Sequence, residues 1–120
     1  MNNSEKRLPI ILIVEDVDWI RAAMKLEVER QGYQVAEARD DAEALAVAEQ
    51  QPVTLILIEE EVPAFRALMD RRRDNSVLGH LPVAIINPDA EAGAHYDEAY
   101  LLPDYVAIES FLAQHGGRRQ

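Results

Sequence analysis

Two groups of carboxylates directly follow apolar runs in this sequence, and carboxylates are the side chains that bind hard cations. The branched run at residues 11–14 leads into Glu15 and Asp16, and a second run at residues 55–58 leads into three glutamates at 59–61. Continuous Ile/Leu/Val runs are typical of strands buried on both faces of a parallel sheet. Carboxylates that lie close together repel one another unless a cation joins them, and Mg²⁺ or Ca²⁺ suits such ligands. The pattern predicts an acidic pocket at one edge of a sheet; acids that only cap a helix remain the alternative for the first pair.

Strands and helices alternate along the chain, and these elements must position the acids. Apolar runs predict five strands, at residues 9–14, 33–38, 53–59, 81–87 and 98–102. Amphipathic spacing predicts four helices, at residues 16–31, 40–50, 63–75 and 104–116. Asp16 or Asp18 is the predicted N-cap of the first helix, and Asp40 with Glu43 forms a D-x-x-E capping signature for the second. Residues 88–97 carry no amphipathic stripe and support one or two irregular helical turns at most.

This alternation predicts an α/β fold, in which helices cover both faces of a parallel sheet. Right-handed crossovers leave few topologies, and five strands favour the doubly wound order 2-1-3-4-5. Ligands of such sheets bind at the carboxyl ends of the strands beside the switch point, here strands 1 and 3. These strands end in Glu15–Asp16 and in Glu59. The residue pattern and the predicted strand order therefore place the acidic pocket at the position where such sheets bind ligands.

The composition limits the class of protein. The 120 residues suit one domain, predicted over residues 7–116 with flexible tails at 1–6 and 117–120. The net charge of −10 argues against a nucleic-acid surface, and no apolar run has the length of a membrane helix or an export signal. The absence of cysteine fits a cytoplasmic protein. The basic run at residues 71–73 is expected to complement a helix dipole in solvent, with a docking patch as the alternative.

The order and spacing of these segments resemble the receiver domain of response regulators, the CheY-like module of two-component signalling. The resemblance covers residues 9–116 and is carried by ILIVED, a helix ending in GYQV, ARDDAEAL, Pro63 four residues past Glu59, and PVAII. It implies a three-layer, flavodoxin-like fold, here with a shortened fourth helix region. It also implies phosphoryl transfer from a histidine kinase to an aspartate after strand 3. In that family an acidic pair after strand 1 helps hold Mg²⁺, while a hydroxyl after strand 4 and a lysine after strand 5 contact the phosphoryl group.

Three of these four functional positions depart from the receiver pattern. Glu59 occupies the phosphoacceptor position, Asn87 the hydroxyl position and Leu102 the lysine position, and only the acidic pair matches. The extra methylene of a glutamate displaces the nucleophile from in-line geometry, and leucine offers neither charge nor donor. The switch aromatic of strand 5 is not clearly present, because Tyr100 lies one place away and would face the other side of the sheet.

We therefore expect an atypical receiver (a pseudo-receiver), a protein-interaction module that is not an enzyme and lacks normal aspartyl phosphorylation. The expected partner is a signalling protein, either a histidine kinase or an output protein, and a homodimer is a further option. We expect the domain to bind neither nucleic acid nor a membrane. The alternative is a receiver that is phosphorylated on Glu59 or a neighbour with Mg²⁺. A nucleotide-binding enzyme of the same fold is disfavoured, because the acidic loop after strand 1 would repel phosphates.

Mg²⁺ is the cofactor that the resemblance implies. The expected ligand set is Asp16, Glu59 and a backbone carbonyl near Glu61, with Glu15 bound directly or through water. Glu60 and Glu61 can also be read as solvated loop charges.

Overall fold

The computed structural model describes residues 8–91 and 93–115. The predicted tails and the predicted helix stop at Gly116 lie outside the described residues. The strands are β1 (Ile10–Val14), β2 (Gln34–Ala38), β3 (Val53–Ile58), β4 (Val83–Ile86), β5 (His95–Tyr96) and β6 (Ala99–Leu102). The helices are α1 (Asp18–Arg30), α2 (Asp41–Gln50), α3 (Ala64–Asp74), α4 (Ser76–Gly79) and α5 (Ala107–His115).

The strands form one sheet in the order β2-β1-β3-β4-β6-β5. The first five strands in this order are joined by four parallel pairings and correspond to the predicted order 2-1-3-4-5, so the α/β fold class is confirmed. The sixth strand, β5, pairs antiparallel with β6 and was not predicted. Because all the parallel strands run the same way, the segments that follow β1, β3, β4 and β6 all leave the sheet on the side of the strands' carboxyl ends.

Side chains of each buried strand alternate between two apolar layers, as the period of a strand requires. In β1, Leu12 and Val14 pack toward the layer that contains Phe65 of α3, whereas Ile11 and Ile13 pack toward the opposite layer. That opposite layer is completed by α1 and α5, through Met24, Val28, Ile108, Phe111 and Leu112. The sheet is therefore buried on both faces, which explains why its central strands are continuously apolar.

The helix ends follow the predicted capping chemistry in α2 but not in α1. Asp40 accepts a hydrogen bond from the backbone N–H of Glu43 at 2.9 Å, and the Glu43 carboxylate accepts one from the N–H of Arg39 at 2.8 Å. The N-cap of α1 is instead Val17, which has no capping side chain, so the prediction of Asp16 or Asp18 was wrong. Its N–H donates to the preceding Glu15 carboxylate, which takes over the role of a capping acceptor.

The segment between β4 and α5 differs most from the prediction. The described residues there form no helix, and β5 and β6 make a hairpin whose turn contains Asp97 in the left-handed region, at φ 57°. The hairpin packs on α3: Arg66 pairs with Asp97 at 2.7 Å, Arg72 with Glu98 at 3.6 Å, and the rings of Phe65 and Tyr96 lie 5.5 Å apart. The prediction of a short fourth helix region is thus replaced by a β-hairpin held by ion pairs.

The basic run at the end of α3 is engaged rather than simply solvated. Arg71 pairs with Asp41 of α2 at 2.7 Å, and Arg73 pairs with Asp70 at 2.8 Å. Arg72 also donates to the carbonyl of Leu81 at 2.7 Å. Arg71 and Arg72 therefore tie α3 to neighbouring segments, whereas Asp70 is a residue of α3 itself, one helical turn before Arg73.

Candidate functional site

Glu15 is the buried acid of the site and directly follows β1. Its backbone N–H continues the sheet by donating to Ala38, at 3.0 Å, and this turns the side chain inward, where the residue is only 2 % exposed. Oε2 accepts the N–H of Val17 at 3.0 Å, but Oε1 is buried and has no hydrogen-bond partner among the described residues. Burial raises the pKa of Glu15, the Val17 N–H opposes this, and the carboxylates of Glu59 and Asp16 raise the pKa further.

Arg21 of α1 is a cation beside the acids that the sequence analysis did not identify. Its side chain is 13 % exposed and donates to Asp18 at 2.8 Å, to Glu37 at 3.1 Å and to the backbone carbonyl of Glu15 at 2.8 Å. The bond to Arg21 lowers the pKa of Asp18. The i,i+3 spacing of Asp18 and Arg21 could have predicted their ion pair from the sequence. The bond from Arg21 to Glu37 of β2 depends on the fold.

The carboxylates after β3 line a cavity of about 280 Å³ together with the loop after β4. Glu59 is half-buried, and Glu60 and Glu61 are exposed. Asn87 lines the same cavity, but its side-chain oxygen accepts the N–H of Asp89 at 2.9 Å and so belongs to a turn.

Asp16 follows Glu15 and lines a second cavity. It is exposed, and this cavity, of about 370 Å³, lies beside Arg39, Asp40, Asp41 and the start of α3. Glu15 and Glu59 are electrostatic neighbours, since the charge of Glu59 raises the pKa of Glu15. The charges of Glu59 and of Asp16 both raise the pKa of Glu15, so the acids after β1 and β3 are neighbours, although Asp16 and Glu59 line different cavities.

The two remaining predicted positions lie on β6. Leu102 is 8 % exposed and packs in the apolar layer of α1 and α5, and its carbonyl accepts the N–H of Asn87 at 2.7 Å. The ring of Tyr100 packs against Phe111 and His115 of α5, with centroids 4.9 Å away in each case. Tyr100 thus faces α5, as the one-place offset predicted.

Comparisons with solved structures identify the fold. A sensor protein from Polaromonas sp. JS666 matches with a TM-score of 0.69 at 20 % identity, over 89 % of this chain and 94 % of its own. The receiver domain of the hybrid histidine kinase CckA matches with a TM-score of 0.61 at 27 % identity, over 88 % of this chain and 97 % of its own. The receiver domain of a sensor histidine kinase from Pseudomonas aeruginosa PAO1 matches with a TM-score of 0.66 at 20 % identity, over 92 % of this chain and 98 % of its own. This chain has the receiver-domain fold. No protein-family model and no curated protein matches the sequence.

The structure places the three side chains that the sequence analysis matched to the phosphoacceptor, hydroxyl and lysine positions of the receiver pattern. Position 59 holds a glutamate beside a buried acid, position 87 a turn-forming asparagine, and position 102 a buried leucine. Among the described residues, the Oε1 atom of Glu15 meets no hydrogen-bond donor.

The structure also tests whether these residues fit Mg²⁺. The Pseudomonas aeruginosa receiver domain has a magnesium ion coordinated in its active site cleft. In residues 8–91 and 93–115 of this chain, no group of three or more His, Asp or Glu side chains is arranged to hold a metal ion. Glu15 is turned inward to Val17, and Asp16 and Glu59 line different cavities, although the charges of both raise the pKa of Glu15. The side chains as placed therefore do not themselves form a complete set of ligands for Mg²⁺.

Tyr105 is a second residue near the site that the sequence analysis did not identify. It lies half-buried just before α5, and burial, with smaller contributions from Glu59 and Glu27, raises the pKa of its phenol to about 12. Its nearness to Glu59 and Glu27 depends on the fold and leaves no local signal in the sequence.

Proposed function

We propose that this chain is a pseudo-receiver, a protein-interaction module of bacterial two-component signalling that works without normal aspartyl phosphorylation and is not an enzyme. A cytoplasmic location belongs to the same proposal, and none of the described helices has the length and apolar character to cross a membrane. The observation that carries the proposal is the buried Leu102, which occupies the lysine position of the receiver pattern.

The chemistry of phosphoryl transfer supports this reading. The transfer needs a carboxylate in line with the phosphoryl group, a cation to offset crowded negative charge, and donors for the oxygens. Leu102 supplies no donor, and the Asn87 side-chain oxygen is used by the N–H of Asp89. Glu59 lies beside Glu15, so a phosphoryl group would meet a second carboxylate rather than a cation.

The proposed partner is another signalling protein, either a histidine kinase or an output protein. Receiver domains of histidine kinases are among the structures that this chain resembles, which supports a place in that kind of pathway. We further propose that Mg²⁺ is not required for the fold. Adding millimolar Mg²⁺ should leave the melting temperature unchanged; a rise that Glu59→Gln abolishes would show that the ion binds at Glu59.

The alternative function is a receiver that accepts a phosphoryl group on Glu59. One observation favours it: Glu59 and Asn87 line an open cavity large enough for a phosphoryl group. Incubation with a small phosphodonor and Mg²⁺, followed by intact mass measurement, separates the two functions. We expect no added phosphoryl group on the wild-type chain.

The same assay has matched controls. A wild-type gain that Glu59→Ala abolishes, and that Glu60→Ala at the exposed neighbouring glutamate retains, would refute the pseudo-receiver proposal. The triple variant Glu59→Asp, Asn87→Thr, Leu102→Lys restores the receiver pattern. It should acquire the phosphoryl group and thereby show that the assay detects the chemistry on this fold.

A further inference from the structure

A cavity of about 330 Å³ opens between the hairpin and α5, and four aromatic rings line it. It is here called the aromatic cavity, after His95, Tyr100, Phe111 and His115. Phe111 is buried, Tyr100 is half-buried and both histidines are exposed, so the cavity has an apolar inner wall and an imidazole rim. Small-molecule sites in proteins have volumes of about 300–1,000 Å³, and this cavity falls in that range.

Two local contacts build the aromatic cavity. His95 of β5 and Tyr100 of β6 are directly opposite in their antiparallel pair, which puts both side chains on one face, and their ring centroids lie 4.6 Å apart. Phe111 and His115 are one helical turn apart on α5, and their rings stack at 4.5 Å. Tyr100 joins the two pairs, because its ring lies 4.9 Å from each of the two rings of α5. The hairpin and the helix therefore hold four rings in one arrangement.

The charge character of the aromatic cavity differs from that of the two cavities described above. Those two are lined by carboxylates. Among the described residues that line the aromatic cavity, none is Asp, Glu, Lys or Arg. The rest of its lining includes the apolar residues Leu102 and Pro103 and the neutral polar side chains of Ser110 and Gln114. A ligand therefore meets ring faces and apolar surface rather than a countercharge.

The ring faces and the net charge of the chain both favour a cation. The face of an aromatic ring carries a negative potential that attracts cations. The net charge of −10 raises the local concentration of cations and disfavours anions. A primary ammonium or a guanidinium brings N–H donors that are best satisfied by carboxylates, and the described lining has none. A quaternary ammonium has no N–H and an apolar surface, so it suits both the charge and the lining.

We propose that the aromatic cavity binds a quaternary ammonium group. The group is carried by small molecules, and it also occurs on the trimethylated lysine of a modified protein, so the experiment distinguishes these two sources. The inference goes beyond the proposed function and does not depend on whether Glu59 accepts a phosphoryl group, because Glu59 lines another cavity.

Choline is the probe, and 3,3-dimethyl-1-butanol is its matched control, because it has nearly the same shape without the charge. The chain has three histidines, whose ring protons are resolved by NMR spectroscopy. His80 follows α4 and does not line the aromatic cavity, so it is an internal reference for His95 and His115. We expect choline to shift the ring protons of His95 and His115 alone, with a dissociation constant below about 1 mM. The neutral control should bind about tenfold more weakly.

Two pairs of variants test the position and the chemistry of the site. Ser110→Lys puts a positive charge on the rim of the cavity, whereas Ala113→Lys adds the same charge at an exposed position of α5 outside it. The first should weaken choline binding at least tenfold, and the second should change it less than twofold. Tyr100→Leu keeps the apolar surface but removes the central ring, so it should abolish binding, whereas Tyr100→Phe should retain it. Circular dichroism checks that each variant is folded, and Ser110→Lys keeps the test decisive if Tyr100→Leu does not fold.

Three results would overturn the inference. They are equal binding of choline and its neutral control, equal binding by the two lysine variants, and the absence of shifts at His95 and His115 at tens of millimolar choline. A peptide that contains trimethyllysine is the second arm of the experiment. Binding of the peptide about tenfold tighter than choline would support a modified protein as the source, and equal or weaker binding would support a small molecule. The phosphodonor assay does not involve the aromatic cavity, so failure of this inference and failure of the proposed function are distinguishable.

Discussion

Replacing Glu15 by glutamine should stabilise the protein, although Glu15 is one of the most buried residues of the site. In the wild type, one carboxylate oxygen accepts the Val17 N–H and the other is buried without a partner, near the charge of Glu59. Glutamine keeps an acceptor for Val17, removes the buried charge and offers an N–H₂ group that can donate to Glu59.

The expected magnitude follows from the unpaired oxygen. A buried polar group without a partner costs about 1–3 kcal/mol. Because glutamine must still bury an amide, we expect Glu15→Gln to raise the free energy of unfolding at neutral pH by about 1–2 kcal/mol. For a domain of this size, that gain corresponds to a melting temperature higher by roughly 4–8 °C.

The effect of Glu15→Gln should depend on pH in one direction. Burial raises the pKa of Glu15 above its ordinary value of 4.5, so the folded state holds this proton to higher pH than the unfolded state does. Wild-type stability therefore falls relative to Glu15→Gln as pH rises from 4.5 through the raised pKa. Below 4.5 the carboxyl is protonated in both states, and the difference between the two proteins should be smallest.

Urea unfolding followed by circular dichroism at pH 4 and pH 7 measures the effect directly. The matched control is Glu49→Gln on an exposed position of α2, which should change the stability by less than about 0.5 kcal/mol. A Glu15→Gln protein that is less stable than the wild type at pH 7, or a gain that is equal at both pH values, would refute the reasoning.

Three further predictions concern a cap, a phenol and the hairpin. Asp40→Ala should cost about 1 kcal/mol in thermal unfolding, because the Glu43 N–H loses its acceptor, whereas Asp40→Asn should retain most of the stability. Tyr105→Phe should remove the phenol that titrates at about 12 in absorbance, and it should lessen the loss of stability between pH 10 and pH 12, since the folded state holds that proton longer. Arg66→Ala should speed amide exchange in the hairpin by releasing Asp97, with less than about 1 kcal/mol lost in global stability; unchanged exchange would contradict the ion pair's role.

The parallel core could be predicted from the sequence because its signal is local. The strands that became β1 and β3 are continuous apolar runs that only a doubly covered sheet can bury, and short connections then leave few topologies. Capping of α2 was predictable for the same reason, since Asp40 and Glu43 lie within one helical turn.

The details of the site were less predictable for two reasons. Some depend on which of two adjacent residues of the same type forms a hydrogen bond, and others depend on ion pairs between residues far apart in the sequence. Glu15 and Asp16 are adjacent acids, and nothing in their order along the chain indicates which of them turns inward to accept the Val17 N–H. The hairpin was missed because His95 and Tyr96 form too short a strand to leave a pattern, and because the ion pair of Asp97 with Arg66 joins segments far apart in the sequence.

The hairpin also has a consequence for how the sheet meets other chains. A strand at the border of a sheet presents unpaired backbone groups on which a foreign strand can assemble. Here the border strand β5 is two residues long and is followed at once by Asp97 and Glu98, which arginines of α3 hold in place. An incoming strand would find too few backbone partners and a pair of charges, so this border resists lateral growth into aggregates.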